Sequence, residues 1–429
     1  MNRVLFASSH CLLDPSSGAA IATLDGLKLL ARAGFPCKAF CPSKLDLPGE
    51  APVEQLLVDR GYAIERREQL TTAGPVQLLR VRSEEFPITI FRSRSTLPDV
   101  WFPGEPDALL AEFDRTLRDF RPQVLLTYGG DTVARAMIEL ARRRGVTVVF
   151  GLHNFAYHDR ELFRHVDRVV VPSNFARHWY EERLGLKCDV LPYVIDWERV
   201  SVRGQQSEIR GQTEAPHPGP LPASGARDVD CATQPSTLNP QRFVTFVNPV
   251  PAKGLCVFAR IAEEIARRRP DIPMLVVEGR GRASWLERAP VDLSWATNLN
   301  AMDNTPDPRD FYAVTKILLV PSLWNESFGL VAAEAMINGI PVLASNRGAL
   351  PEVVGDAGLL FAIAARHTSE SCLLPTAEEV QPWVQAIERL WDDTAFYGDA
   401  SARSRNRAQR WTVAQLGPAY VSYFAQLPA

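Results

Sequence analysis

The sequence predicts an α/β protein built from two Rossmann-type domains. Short apolar runs alternate with segments of helical period through most of the chain, the pattern of parallel sheets covered by helices. The alternation stops at a stretch poor in apolar residues and then restarts, which divides the chain into two series. With 429 residues, 46% of them hydrophobic, the chain has enough material for two sizeable cores.

The first series opens with MNRVLFASSH, whose apolar run is too short for a signal peptide and reads as a buried strand. A Ser/Gly turn at residues 15–18 leads into AAIATLDGLKLLARAGF, with apolar positions at helical spacing and a stop at Gly34. CKAFC is the next strand. Residues 50–107 are less regular and are expected to hold a hairpin. QVLLTYGG, a helix over 132–144 and VTVVFGLHN form a strand–helix–strand unit, followed by RVVVPS, a helix over 174–184 and CDVLPYVID. The second series starts at Arg242 with RFVTFVN. It continues through a helix over 254–269, MLVVEG, KILLVPS, a short helix, IPVLAS and a helix over 377–392. The expected domains are 1–200 and 241–410. Between them, residues 201–240 form a linker with an insertion rich in Pro, Gly, Ser and Thr, too polar to offset its ordering entropy. Residues 411–429 make an aromatic-rich amphipathic end segment.

The formal net charge of −3 gives no global pull toward nucleic acid or anionic membrane. Arg142-Arg143-Arg144 and Arg267-Arg268-Arg269 end predicted helices, where cations complement the dipole. The seven cysteines are scattered, at 11, 37, 41, 188, 231, 256 and 372. Cys37 and Cys41 share a strand, which favours buried free thiols over a metal site. No stretch approaches the roughly 20 apolar residues of a membrane span, so a cytoplasmic protein is expected.

Residues 321–361, PSLWNESFGLVAAEAMINGIPVLASNRGALPEVVGDAGLLF, carry the chemistry. Glu326 and Glu334 are separated by seven residues, and Ser327-Phe328-Gly329 follows the first. The pattern is loop, helix, strand, with one carboxylate before the helix and one inside it. A helix start offers free N–H groups and a positive dipole end to an anion. Carboxylates accept hydrogen bonds from sugar hydroxyls. Together these suit a sugar joined to a diphosphate.

This segment resembles the donor site of retaining glycosyltransferases of family four, whose signature is Glu, seven residues, Glu, with Phe-Gly after the first. The resemblance implies the GT-B fold: two Rossmann-like domains facing a cleft, with the last helix crossing back to the first domain. It assigns Glu326 to the donor sugar's hydroxyls and Glu334 to the nucleotide ribose. Backbone amides near Phe328, Gly329 and Leu330 would meet sugar or phosphate. Lys253, in NPVPAKG, would face the diphosphate as a mobile cation. The family's Gly-Arg pair is replaced by Asn248-Pro249, and Arg280 in EGRGR is the expected substitute for the missing cation. His153 is placed near the donor sugar, where neutral imidazole hydrogen-bonds near pH 7. Gly18 aligns with the second glycine of a family turn near the donor phosphates, with Ser17 in place of the first. Asp131 and Asp159 also lie near strand ends, where a solvated loop role weighs at least as much as a functional one.

The implied activity is transfer of a sugar from a nucleoside-diphosphate sugar to an acceptor hydroxyl. Neither a cofactor nor a metal is expected, since no Asp-x-Asp stands at the donor position. The acceptor would be a glycan, a lipid-linked sugar or a small molecule, partly recognised by residues 50–107, and a peripheral membrane contact is compatible with it. Rival readings are a nucleotide-sugar epimerase, a phosphorylase, and a noncatalytic nucleotide-sugar-binding protein. Fold likeness does not decide the base, sugar or acceptor.

Overall fold

A computed structural model describes residues 1–47, 49–71, 74–202, the backbone of 219–220, and 242–428. The proposed disordered insertion at 201–240 therefore falls almost wholly outside the described residues. The chain forms two compact units, Met1–Ile195 with Trp411–Ala429, and Asp196–Arg410. The boundary is slightly earlier than the expected residue 200: residues 196–200 belong to the second unit.

The first unit is built on one sheet with strands β1 (Val4–Ala7), β2 (Cys37–Pro42), β3 (Ala63–Thr71), β4 (Gly74–Arg82), β5 (Ile88–Phe91), β6 (Val124–Thr127), β7 (Thr147–Gly151), β8 (Arg168–Val171) and β9 (Cys188–Val190). Their order is β3-β4-β5-β2-β1-β6-β7-β8-β9. From β5 to β9 all pairs are parallel, and β3 and β4 form the expected hairpin, antiparallel at one edge. Every residue of β1 and β7 is buried, as a sheet covered on both faces requires. The helices are α1 (Gly18–Arg32), α2 (Val53–Asp59), α3 (Glu105–Phe120), α4 (Thr132–Arg143) and α5 (Asn174–Leu184). Asp131 caps α4 by accepting from Val133 N and Ala134 N, and Ser173 caps α5 through Ala176 N. Of the two roles open to Asp131, the solvated loop acid is excluded, since its side chain is engaged in this cap. Cys37 and Cys41 are buried free thiols.

In the second unit the strands are β10 (Gly219–Pro220), β11 (Phe243–Val247), β12 (Met274–Val277), β13 (Leu299–Met302), β14 (Thr315–Val320), β15 (Val342–Ser345) and β16 (Leu359–Phe361), in the order β10-β13-β12-β11-β14-β15-β16. All pairs from β13 to β16 are parallel. The helices are α6 (Trp197–Val200), α7 (Leu255–Arg268), α8 (Arg309–Val314), α9 (Leu330–Ile337), α10 (Leu350–Val354), α11 (Ala377–Asp392) and α12 (Thr394–Ala408). Phe246, Phe258, Ile265 and Trp383 lie in one core between β11, α7 and α11. A capping box, Thr376 with Glu379, starts α11.

The last helix, α13 (Val413–Gln426), returns to the first unit. Tyr420 and Phe424 join Leu27 and Leu30 of α1 in its core, and burying each aromatic contributes about 1.5–3 kcal/mol. Asn2 Nδ2 donates to the carbonyls of Phe424 and Leu427 at 2.9 and 3.0 Å, so the two chain ends are tied together. Among the described residues no helix is long and apolar enough to cross a membrane.

Candidate functional site

β11 and β14 are parallel neighbours, so their carboxyl ends release two loops side by side. One carries Asn248 to Lys253 and the other Pro321 to Gly329. Ala252 O accepts from Leu323 N at 2.9 Å and from Trp324 N at 3.2 Å, which zips the loops together. Lys253 and Glu326 meet as a result, with Nζ 2.6 Å from Oε1.

The Glu326 backbone is seated by the loop after β15. Its carbonyl accepts from Ala349 N at 2.8 Å. Gly348, at φ +61°, lies against the Glu326 backbone where a Cβ would overlap it, so only glycine permits this approach. The RGAL segment flanking the signature thus holds its first acid in place.

Glu326 is 7% exposed, and its two oxygens are treated unequally. Oε1 accepts from Lys253 Nζ (2.6 Å), Ser322 Oγ (2.6 Å) and Trp324 Nε1 (2.9 Å). Oε2 has no hydrogen-bond donor among the described residues. Burial alone would raise the carboxyl's pKa, but the Lys253 ammonium and the hydroxyl and indole donors override it and hold it below the usual range. A buried carboxylate, charged and with one oxygen unspent, is equipped to take ligand hydroxyls. Lys253 also lies 4.9 Å from the centre of the Trp324 ring. Its side chain keeps 22% of its exposure, and an ammonium has three donors.

Glu334 lies on α9, and both of its oxygens are engaged. Oε1 accepts from Arg199 Nη2 at 2.8 Å and Oε2 from Tyr312 Oη at 2.9 Å. Burial, with Glu334 beside it, pushes the Tyr312 phenol well above its ordinary range, so it stays a donor. A carboxylate has about four lone-pair sites, so Glu334 retains accepting capacity. Arg199 belongs to α6, and this ion pair joins α6 to α9 within the second unit.

Gly329 is the N-cap of α9, at φ +99° and with no side-chain cap, while the Phe328 side chain is buried. The first amides of α9 after Phe328 and Gly329, from Leu330 on, form the expected helix start. Arg280 sits on a turn against the Asn248-Pro249 turn, where Gly281 N donates to Asn248 Oδ1 at 3.0 Å. Asn248 itself has φ +61°, the left-handed backbone that a glycine would supply there.

Gly18 and His153 belong to the first unit. Gly18 opens α1, and a Cβ there would meet no atom within 4 Å. His153 lies just past β7, with Nδ1 2.7 Å from Tyr193 Oη and Nε2 3.4 Å from Thr23 Oγ1. Burial lowers its pKa to about 4, so the ring is neutral near pH 7. Asp159 caps a short 3-10 turn and pairs with Arg135 at 2.8 Å.

Sequence reasoning missed Ser322, Trp324, Arg199 and Tyr312. Ser322 and Trp324 lie within four residues of Glu326, a signal that proximity could have supplied. Arg199 and Tyr312 reach Glu334 across 135 and 22 positions, and no local pattern marks them.

Two family descriptions match the chain: Glycosyltransferase Family 4 over residues 16–199, and Glycosyl transferases group 1 over 241–393. A D-inositol 3-phosphate glycosyltransferase of Rhodococcus erythropolis is 29% identical over 196 residues, 43% of this chain and 41% of that protein. The phosphatidyl-myo-inositol mannosyltransferase of Mycolicibacterium smegmatis is 27% identical, over 52% of this chain and 50% of its own length. The chain thus spans about half the length of the curated relatives it matches. Among solved structures, a Rickettsia africae glycosyltransferase superposes with a TM-score of 0.65 at 12% identity, covering 99% of this chain and 98% of the other. Anabaena Alr3699/HepE, in complex with UDP and glucose, gives 0.65 at 14% identity and covers 100% of both. Likeness at these identities shows the fold, the expected GT-B class.

Proposed function

The chain belongs to the family four, group 1 glycosyltransferases, and from that premise we propose that it moves a sugar from a nucleoside-diphosphate sugar to an acceptor hydroxyl. Configuration at the anomeric carbon is retained, and no metal takes part. The bond from the anomeric carbon to the diphosphate oxygen breaks, and the acceptor oxygen bonds to the same face of that carbon. The acceptor's proton passes to the departing phosphate.

One observation carries this reading: Glu326 is buried and charged, three donors are spent on Oε1, and Oε2 is left open for sugar hydroxyls. Lys253 beside it faces the diphosphate with its remaining N–H donors, helped by Arg280 and by the amides from Phe328 to Leu330. Preorganised donors of this kind act where the leaving group gains charge. Glu334 takes the ribose. The acceptor is a glycan, a lipid-linked sugar or a small polyol phosphate, in keeping with the names of the inositol-directed relatives. The proposed setting is the cytoplasm.

The test is a thermal-shift panel of UDP, GDP and ADP and their sugars, on wild type and Glu326→Gln, with nucleoside diphosphate release measured in parallel. A hundredfold excess of ligand over its Kd adds about 2.7 kcal/mol of stability. One base should stabilise both proteins, with the extra shift from the attached sugar lost in Glu326→Gln. Equal sugar-dependent shifts in both would overturn the role of Glu326. A second reading, a nucleotide-sugar binder without turnover, draws on Pro249 in place of an arginine. It predicts stabilisation by donor with no diphosphate release.

A further inference from the structure

A second polar group gathers in the first unit, where its sheet changes direction. β1 lies between β2 and β6, so successive connections depart to opposite sides there. Crevices outside the carboxyl ends of strands at such a switch favour ligands. Ser8, Ser9 and His10 follow β1, and Tyr128, Gly129, Gly130 and Asp131 follow β6. Ser8 Oγ donates to Tyr128 O at 2.9 Å and ties the two loops.

Proton counting fixes the state of His10. Asp131, as a carboxylate, only accepts; its Oδ1 already takes Val133 N and Ala134 N at 2.8 and 2.9 Å. Ser9 Oγ donates its single proton to Asp131 Oδ2. The contact of 3.1 Å between Ser9 Oγ and His10 Nδ1 must then run from Nδ1–H to the hydroxyl. In neutral His10 the lone pair therefore sits on Nε2, which has no partner among the described residues. The ring is half-buried. His153, by contrast, has both nitrogens facing hydroxyls.

Two further features show that this corner is shaped around the relay. Gly129, at φ +111°, would place a Cβ 2.9 Å from Ser9 Oγ and 3.6 Å from His10 Nδ1, so any side chain there would crowd the contact. The Tyr128 ring approaches both the His10 and His153 rings, and its buried hydroxyl has no hydrogen-bond partner among the described residues.

We propose that His10 is the hydroxyl-recognition residue of an acceptor subsite in the first unit, binding polyols such as sugars and inositols through Nε2. Ser9 and Asp131 are positioning residues that set its tautomer. The assignment of this subsite to an acceptor rests on the transferase reading above; the polyol binding itself does not.

The experiment uses full-length protein labelled with nitrogen-15 at histidine, with His10→Phe to assign the His10 signals. In the neutral ring, Nε2 of His10 should be the nitrogen without a proton, and Ser9→Ala should abolish that preference. Saturating myo-inositol, glucose or N-acetylglucosamine is then added, and at least one should move the Nε2 signal. The same probe should raise nucleoside diphosphate release above the rate in water. In His10→Phe that polyol-dependent release should be lost, and Ser9→Ala should raise the polyol KM about ten-fold with kcat little changed. A neutral ring with its proton on Nε2, no movement with any of the three probes, or polyol-dependent release intact in His10→Phe overturns the proposal. Movement of Nε2 in a protein that never turns over donor would leave the polyol site standing and remove the transferase reading instead.

Discussion

Arg199 Nη2 lies 2.8 Å from Glu334 Oε1, so an arginine of α6 is bound to the second acid of the signature. Asn338, one turn further along, reinforces this link: its Nδ2 donates to Val200 O at 3.0 Å and its Oδ1 accepts from Val202 N at 2.9 Å. The segment entering the Pro/Gly-rich stretch is therefore pinned to the helix assigned to the donor.

Arg199→Ala should destabilise the protein by about 2–3 kcal/mol, less than the 3–5 kcal/mol of a fully buried pair because the arginine keeps some exposure. In Arg199→Ala/Glu334→Ala the losses should fall short of additive by about 1 kcal/mol or more. Urea unfolding of the two single variants and the double variant checks this; additive losses would mean the pair is uncoupled.

Lys253→Ala removes one of three donors on Glu326 Oε1 and the proposed diphosphate cation. Stability should fall by about 1–2 kcal/mol, since Ser322 and Trp324 still serve the carboxylate. Turnover should fall about a hundredfold or more, as expected for loss of a group that meets charge developing on the leaving group. Unchanged turnover in a folded variant would sink that role.

The pH dependence of stability should carry a His153 component. Its folded pKa is about 4 against an ordinary 6.5, so between those values the unfolded chain binds a proton that the folded chain refuses. Stability then rises with pH across that window, by up to about 3 kcal/mol. Glu326, held low in the folded state, adds stability that is lost only at lower pH, as the medium falls through its folded pKa. Unfolding free energies from pH 4.5 to 7 should be flatter for His153→Gln than for wild type. Parallel curves would show that His153 does not titrate as described.

Metal removal provides a further check on the transferase reading. Donor turnover should be unaffected by saturating EDTA, because the cation role is assigned to Lys253 and Arg280. A loss restored by magnesium or manganese would overturn metal independence.

Much of the fold was legible because local signals and burial agree. VLFA, VTVVF and FVTFV are continuous apolar runs that only a sheet covered on both faces accommodates, and α5 and α11 occupy the residues their periodicity predicted. A hairpin within 50–107, found at 63–82, and the return of the last helix were also expected. Helices α3 and α12 were not anticipated, the first lying largely beyond an irregular stretch and the second having little amphipathic contrast in its sequence.

By itself the sequence determined two α/β units and named both acids of the site, because hydrophobic period and a short spaced motif are properties of neighbouring residues. It could not determine how those acids are satisfied. That Glu326 keeps Oε2 open while Glu334 is taken by Arg199 and Tyr312, and that Ser9 turns His10 into an Nε2 acceptor, depends on loops and helices distant in sequence meeting within each unit. Hydrogen bonds act over about 3 Å in space, and only the folded chain decides which distant residues come that close.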